Sequence, residues 1–416
     1  MAVYLLPETL DVDSDFMKMV SEDYERFGDE GMPFMLEEYI LQKFRIDLSA
    51  TFAGVKIKNP FGKASGQLSM NIKQVKDDIT AGIGFVVLKT VIAQDEAGSS
   101  AMEEWKVSRP RMKVERIRSR SGREGWSVTW KGRGWDKSFE EYLEFYKEAY
   151  SLGNANGIPV AASSQFHLPE VDEEFRREEY QYTGQQIVNA YLSVKGNLPC
   201  ILEIDFSPTV NLNPGAEDEK NVLRWFREVP RLIRKVVGKQ TILGVKIFNT
   251  IRGSEFQKKI LKELLNSHDE IDYLTCFNRL LDKEKGMTYG GYDLSDTNLY
   301  ILDSLKNEIL KARERGLTIS ATGNICSGKM MIEYALRGAT NGQCHTFFQL
   351  PLEEYRMKRG NRSERALHKL LFHPEEGLLV AMKWLEEKGY LFRVDDLLRF
   401  LDIFDHSIER SCSDDN

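Results

Sequence analysis

Eight short β-rich stretches recur along the chain, most of them dense in Val, Ile, Leu, Phe and Thr with few charges. They are FGKASG (61–66), FVVLKT (85–90), IPVAASSQ (158–165), CILEIDFS (200–207), TILGVKIF (241–248), IDYLTCFN (271–278), LTISATG (317–323) and NGQCHTFF (341–348). Short, nearly continuous apolar runs are the pattern of strands buried on both faces. Charged, amphipathic helical patterns separate them, over Ile72–Ala81, Phe139–Leu152, Glu170–Val194, Glu219–Val236, Phe256–Leu265, Leu299–Arg315 and Lys329–Leu336. This alternation predicts an α/β fold, a (β/α)8 TIM barrel over residues 48–350. The alternative is an open doubly wound sheet, which a G-x-G-x-x-G after the first strand would favour. The sequence there runs ASGQLSM.

Three parts fall outside the alternation. Residues 1–47 form an acidic N-terminal extension with a helical pattern around Met32–Phe44. Residues 93–136 form a long insertion after the second strand, and residues 351–416 a C-terminal helical addition with patterns near Gly377–Lys388 and Val394–Phe404. In a barrel the insertion leaves the C-terminal face, where barrel enzymes keep their chemistry, so it is a candidate lid or substrate wall. It gathers Arg109, Arg111, Arg116, Arg118, Arg120, Arg123 and Arg133 with Trp105, Trp126, Trp130 and Trp135. One reading is a solvated amphipathic hairpin. The other is a pocket for an anionic or planar substrate, since guanidinium groups fork onto carboxylates and indoles stack on rings or cations.

Composition narrows the partners. The chain has 416 residues, 57 basic and 64 acidic, for a net charge of −7. That balance argues against a nucleic-acid binder. No run approaches the ~18–20 apolar residues that span a bilayer. The start, MAVYLLPETLDVDSDF, lacks the basic region of a signal peptide. The five cysteines form no C-x-x-C pair, so neither a disulfide framework nor a cysteine zinc site is indicated, and a reducing cytoplasm fits. The histidines show no metal-ligand spacing. The expected partner is therefore a small-molecule substrate, with no nucleic acid, membrane or metal.

Candidate chemistry sits at the strand ends. There the apolar runs give way to Ala64–Ser65–Gly66, Lys89–Thr90, Ser164–Gln165, Asp205–Ser207, Lys246, Thr275, Asn278, Thr322–Gly323–Asn324 and His345–Thr346. Polar groups converging on one barrel mouth are costly unless partners or a ligand satisfy them. Lys89 and Lys246 either snorkel out of the barrel end or present fixed positive charge to an anionic ligand, such as a phosphate or an electron-rich ring. The segment 319–340 reads strand, glycine turn, then helix with Ser327 as N-cap. Backbone N–H groups at Gly323–Asn324, and at the start of that helix, are suited to phosphate.

Taken in order, NPFGKASG (59–66), VVLKT (86–90), LEIDFSP (202–208), GVKIF (244–248), TGNICSG (322–328) and GATNGQCHTFF (338–348) resemble the dihydroorotate dehydrogenase family. That family includes the pyrimidine-reducing domain of dihydropyrimidine dehydrogenase. The resemblance covers about residues 48–350. It implies an FMN-dependent barrel that moves a hydride between a carbon of a small polar, anionic substrate and flavin N5, with a homodimer as the expected assembly. It implies that Ala64, Ser65 and Gly66 lie against the flavin and that Lys89 reaches both flavin and substrate, with Thr90 beside it. Asp205 stands where the family has an asparagine, and Lys246 would sit by the N1/O2 edge of the ring. Asn278 matches the asparagine ending strand six. Gly323 and Asn324 would hold the phosphate through N–H groups, with His345 and Thr346 completing the cradle.

Two departures bear on the substrate. The family's N-S-M-G-L-P-N loop is missing, and WSVTWKGRG (126–134) takes its place. The base loop reads DFSPTVN (205–211) with no cysteine, which leaves Ser207 as its candidate base. Ser207 and Lys89 are thus the catalytic candidates, and orotate is not the expected substrate. The alternative function is a non-redox barrel enzyme or binding protein that retains only the phosphate site.

Overall fold

The computed structural model describes residues 4–102, 111–131, 134–206, 218–267, 269–282 and 287–414. Eight parallel strands form its centre: β1 (Phe61–Lys63), β2 (Phe85–Val87), β3 (Val160–Gln165), β4 (Ile201–Asp205), β5 (Ile242–Lys246), β6 (Tyr273–Cys276), β7 (Thr318–Thr322) and β8 (Ala339–Cys344). Each pairs with the next, and β8 returns to β1 through Gly342↔Phe61 and Cys344↔Lys63. The sheet is therefore a closed (β/α)8 barrel with no exposed edge. Every residue of β3 and β4 is buried, the polar Ser163, Ser164, Gln165, Glu203 and Asp205 included. The last strand lies two residues earlier than the 341–348 run suggests. His345 already leaves it for a short 3-10 turn, Thr346–Gln349.

β2 is interrupted where the site begins. Phe85–Val87 pairs with Val160–Ala161 of β3, and the chain rejoins β3 only at Val91–Ile92, opposite Ser164–Gln165. Between these pairings Lys89 gives its N–H to the Ser69 carbonyl (2.9 Å) and Thr90 gives its own to Ser65 Oγ (3.0 Å). The break ties the ends of β1 and β2 together.

The opposite end of the barrel is closed. An antiparallel hairpin, Ala50–Phe52 with Val55–Ile57, crosses it. Phe52 stacks on Phe85 at 3.9 Å and meets Tyr273 edge-on at 5.2 Å. Gly244 is required beside this plug, because a Cβ there would lie 2.0 Å from the Tyr273 ring.

Several helices differ from the sequence pattern, each for a local reason. The helix expected from Glu170 starts at Arg177. Trp225 and Arg224 take the carbonyls of Pro169, Glu170, Val171 and Glu173, so those groups bond to a neighbouring helix instead of their own. Leu299–Arg315 is two helices, Tyr292–Ser304 and Lys306–Glu314, divided at Leu305 (φ −124°). In the N-terminal extension the pattern at Met32–Phe44 narrows to Leu36–Phe44, and a longer helix, Ser14–Glu30, precedes it. At the C-terminus, Arg362–Phe372 is a further helix with an Asn361–Glu364 capping box. Val394–Phe404 is not one helix. Asp395 and Asp396 take positive φ (52° and 62°), Leu398–Arg399 pairs with Ile46–Asp47, and helix resumes at Ile403. Among the described residues no helix is long and apolar enough to cross a membrane.

Candidate functional site

A cavity of about 450 Å³ opens at the C-terminal end of the barrel. That is within the ~300–1,000 Å³ common for small-molecule and cofactor sites. All eight strand ends reach it. Ala64 and Ser65 follow β1, Lys89 and Thr90 follow β2, and Gln165, Asp205 and Lys246 end β3, β4 and β5. Asn278 lies just past β6, Gly323 and Asn324 past β7, and His345 and Thr346 past β8. Gly66 is set behind this wall. A Cβ at that position would come within 2.3 Å of His345 Nε2, so the missing side chain makes room for the imidazole. Ser207 lies outside the described residues.

The charges at the strand ends themselves are on β2, β4 and β5, while Glu124, Arg279, Glu354, Lys369 and Glu376 add to the cavity wall from outside the barrel strands. Asp205 and Lys246 are register partners, with Nζ 3.6 Å from Oδ2. Thr90 Oγ1 donates to the same carboxylate oxygen (2.9 Å), and it also lies 2.6 Å from Ser65 Oγ and 3.1 Å from Ser163 Oγ. Lys89 is only 3% exposed. Burial pushes its ammonium down to about 8; Asp205 opposes that shift, while Lys246 and Arg279 add to it. The His345 imidazole is held well below its usual range by burial, then by Arg279, Lys63, Lys246 and Lys89. It is therefore neutral at pH 7. Gln349 Nε2 lies against the ring edge, 2.9 Å from Nδ1 and 3.2 Å from Nε2.

Arg279 was not legible as a site residue. It directly follows Asn278, in IDYLTCFNR, and it lines the cavity with the two lysines. Burial lowers its pKa to about 9, so it remains charged at neutral pH. Its Nη1 donates to the Val128 carbonyl, which belongs to the insertion.

The insertion forms an antiparallel hairpin, Arg111–Arg118 with Glu124–Lys131, that roofs the mouth with Trp126, Ser127 and Val128. A second hairpin, Leu280–Asp282 with Met287–Tyr289, follows β6 and meets it. Gly290 N–H donates to Ser127 Oγ at 3.0 Å. The insertion is thus a wall of the cavity, but its described arginine side chains do not line it. Arg116 bonds Glu354 and Arg118 bonds Glu124, both at 2.8 Å, and Arg120 approaches Asp293 at 3.7 Å. Arg123 pairs with Asp296 and lies over the rings of Tyr4 (4.6 Å) and Tyr292 (4.3 Å). Most of these contacts fasten the hairpin to its surroundings. Trp135 is buried, stacked on Phe145. Trp105, Arg109 and Arg133 lie outside the described residues, as do the side chains of Arg111 and Trp130.

At the β7–β8 side the donors are neutral. Gly323 and Asn324 have successive positive φ values (107° and 53°), and no backbone carbonyl among the described residues takes their N–H groups. Such a turn presents N–H groups to an anion. The following helix, Gly328–Ala335, does not share that role. A Cβ on Gly328 would lie 2.0 Å from Leu378 N, the Lys329 N–H goes to the Glu376 carbonyl (3.0 Å), and Ser327 caps Met330 (3.1 Å). The C-terminal addition covers its start. Among the described residues no group of His, Cys, Asp and Glu could hold a metal ion.

The fold is similar to that of a DHODH. A solved DHODH from Eimeria tenella, in complex with ferulenol, aligns with a TM-score of 0.51 and 15% identity. The match covers 90% of this chain and 97% of that one. At that identity the likeness is one of fold. No protein-family model and no curated protein matches the sequence.

Proposed function

We propose that the protein is an FMN-dependent oxidoreductase of DHODH type, acting on a small polar, anionic substrate other than orotate. The observation that carries this reading is the convergence of Lys89, Lys246 and Arg279, with Asp205 as counter-charge, on one buried mouth that ends in neutral N–H donors. An electron-rich ring bearing a phosphate tail is complementary to that donor set. When bound, FMN would supply the hydride acceptor or donor at its N5.

The protein's own groups have separable tasks. Ala64 and Ser65 are small, which lets a planar ring approach the end of β1 closely. Lys246 would hold negative charge on the ring. Lys89 is cationic at pH 7, yet its ammonium is acidified to about 8, so Nζ is suited both to holding an anion and to moving a proton. Gly323 and Asn324, with the Thr346 hydroxyl, are the phosphate donors. Ser207 remains the candidate base on the β4 loop. Trp126 and Arg279 supply an indole and a guanidinium on the substrate side, in place of the asparagine-rich loop that orotate would need.

The test is direct. The purified full-length chain is examined for the visible spectrum of oxidised flavin, then titrated with FMN by fluorescence quenching. Stoichiometric uptake is expected. A colourless protein that ignores added FMN sinks the proposal, and turnover that survives complete flavin removal points to the non-redox alternative.

A further inference from the structure

Below the charged rim lies a second polar layer that none of these roles uses. Glu203 is two residues before Asp205 on β4, so both side chains point to the same face. It is fully buried. Its Oε2 accepts from Gln343 Nε2 (2.6 Å), Thr275 Oγ1 (2.8 Å) and Tyr273 OH (3.4 Å). Gln343 comes from β8 and lines the cavity, so this cluster forms its floor.

Hydrogen-bond accounting in the cluster does not close for a carboxylate. Glu203 Oε1 and Gln343 Oε1 are both buried, and neither has a donor among the described residues. A carboxylate and an amide oxygen only accept. An unsatisfied buried acceptor is costly, and here two occur on side chains already joined by one bond. Turning the Gln343 amide over would not help, because it would set its oxygen against Glu203 Oε2. One proton on Glu203 satisfies both atoms. The acid O–H would then donate toward Gln343 Oε1, beside the bond that Gln343 Nε2 gives Glu203 Oε2 (2.6 Å), and close an acid–amide ring.

The charged neighbours agree with this. Among the described residues no cation lies within ion-pair distance of Glu203, and Lys246 pairs with Asp205 instead. The other groups facing Glu203 are the Tyr273 and Thr275 hydroxyls. Burial raises its pKa; Lys246 and the hydrogen bonds from Gln343 and Thr275 oppose the shift without reversing it, and Asp205 adds to it.

We infer that Glu203 is a neutral carboxylic acid, locked to the Gln343 amide, and acts as a positioning residue that fixes the cavity floor and keeps negative charge from beneath an anion-binding mouth. The protonation state stands on geometry alone; its effect on ligand binding rests on the functional reading above.

The experiment has two arms. In the infrared, the full-length chain should show a carboxylic-acid C=O band that shifts in D₂O and disappears in Glu203→Gln. The difference between the two chains separates it from other buried carboxyls, such as Asp78 and Glu333. Wild-type protein labelled with ¹³C-glutamate checks the band without any variant. In the second arm FMN is the probe. An amide keeps a donor toward Gln343 Oε1 and an acceptor for Gln343 Nε2, at the cost of one extra buried N–H, so Glu203→Gln should fold with a modestly lower thermal midpoint and bind FMN within about twofold of wild type. A Glu203 carboxylate would instead cost anion affinity, and its removal would raise FMN affinity about tenfold, one pKa unit's worth of free energy. A wild-type spectrum without the band, or that tenfold gain, overturns the inference; if Glu203→Gln does not fold, the band of ¹³C-glutamate-labelled wild type decides it. If the wild type takes up no FMN, the functional reading fails while the infrared arm still decides the protonation state.

Discussion

Lys246 Nζ and Asp205 Oδ2 lie 3.6 Å apart at register-paired ends of β5 and β4, and Thr90 approaches the same carboxylate oxygen at 2.9 Å. The hydroxyl has the closer hold on Asp205, and the ammonium is placed where it can also meet a ligand. Lys246→Ala should therefore cost binding more than folding. A hydrogen bond to a charged group contributes ~1.5–3 kcal/mol, so FMN affinity should fall roughly ten- to a hundredfold. Fluorescence titration measures this, with far-ultraviolet circular dichroism as the folding control. Retention of stoichiometric FMN would remove Lys246 from the binding role.

Lys89 should make ligand binding depend on pH. Its ammonium is held down to about 8 mainly by burial. It is charged below that pH and neutral above it, so FMN affinity should decline as pH rises through about 8, and Lys89→Met should flatten the decline. The stability of the empty protein moves the other way. The unfolded chain keeps a lysine of ordinary pKa, ~10.4. Between pH 8 and 10 it binds more protons at this position than the folded chain does. The penalty for burying the charge is fully present below about 8 and is relieved as pH rises across that window. Thermal midpoints of wild type and Lys89→Met should converge over the same range.

Arg123 fastens the roof. It pairs with Asp296 and lies over Tyr4 and Tyr292, so it joins the insertion to the N-terminal segment and to the helix after β6. The pair is partly exposed, and its contribution to global stability should be ~1 kcal/mol or less. Arg123→Ala should instead lower hydrogen-exchange protection in residues 111–131 while the barrel strands keep theirs. Uniform loss across the molecule would show that the hairpin does not open as a separate unit.

Phe52 plugs the closed end. It is fully buried and stacked on Phe85. Phe52→Ala should cost ~3–5 kcal/mol, as deletion of a buried aromatic does, with a clear drop in thermal midpoint. The cavity lies at the other end of the barrel, so FMN affinity of the folded fraction should be unchanged. Loss of binding without loss of stability would contradict this division.

The barrel was legible because its strands are buried on both faces and read as apolar runs, such as FVVLKT and ILEID. The strand ends were legible for the same reason, since polarity returns abruptly at Lys89, Asp205 and Lys246. Arg279 was missed because the polar signal at the end of β6 is already complete at Asn278. Glu203 was missed because a single acid inside an apolar run gives no sign of the hydroxyls and amide that surround it. The hairpin reading of the arginine-rich insertion holds, but its ion-pair partners were not legible, since Asp293, Asp296 and Glu354 come from distant segments. The helix Ser14–Glu30 was obscured by acidic residues, although Phe16, Val20, Tyr24 and Phe27 carry the spacing of a buried face.

Arg279 belongs to the barrel through β6 and holds the Val128 carbonyl of the insertion. Through this residue the ceiling of the chamber is anchored to the same guanidinium that charges its interior. Changes in the hairpin loops can therefore reshape what the chamber admits without disturbing the lysines on the strands. On the proposed function, the strand-end charges and the hairpin roof are separate parts of one chamber, and one side chain joins the two.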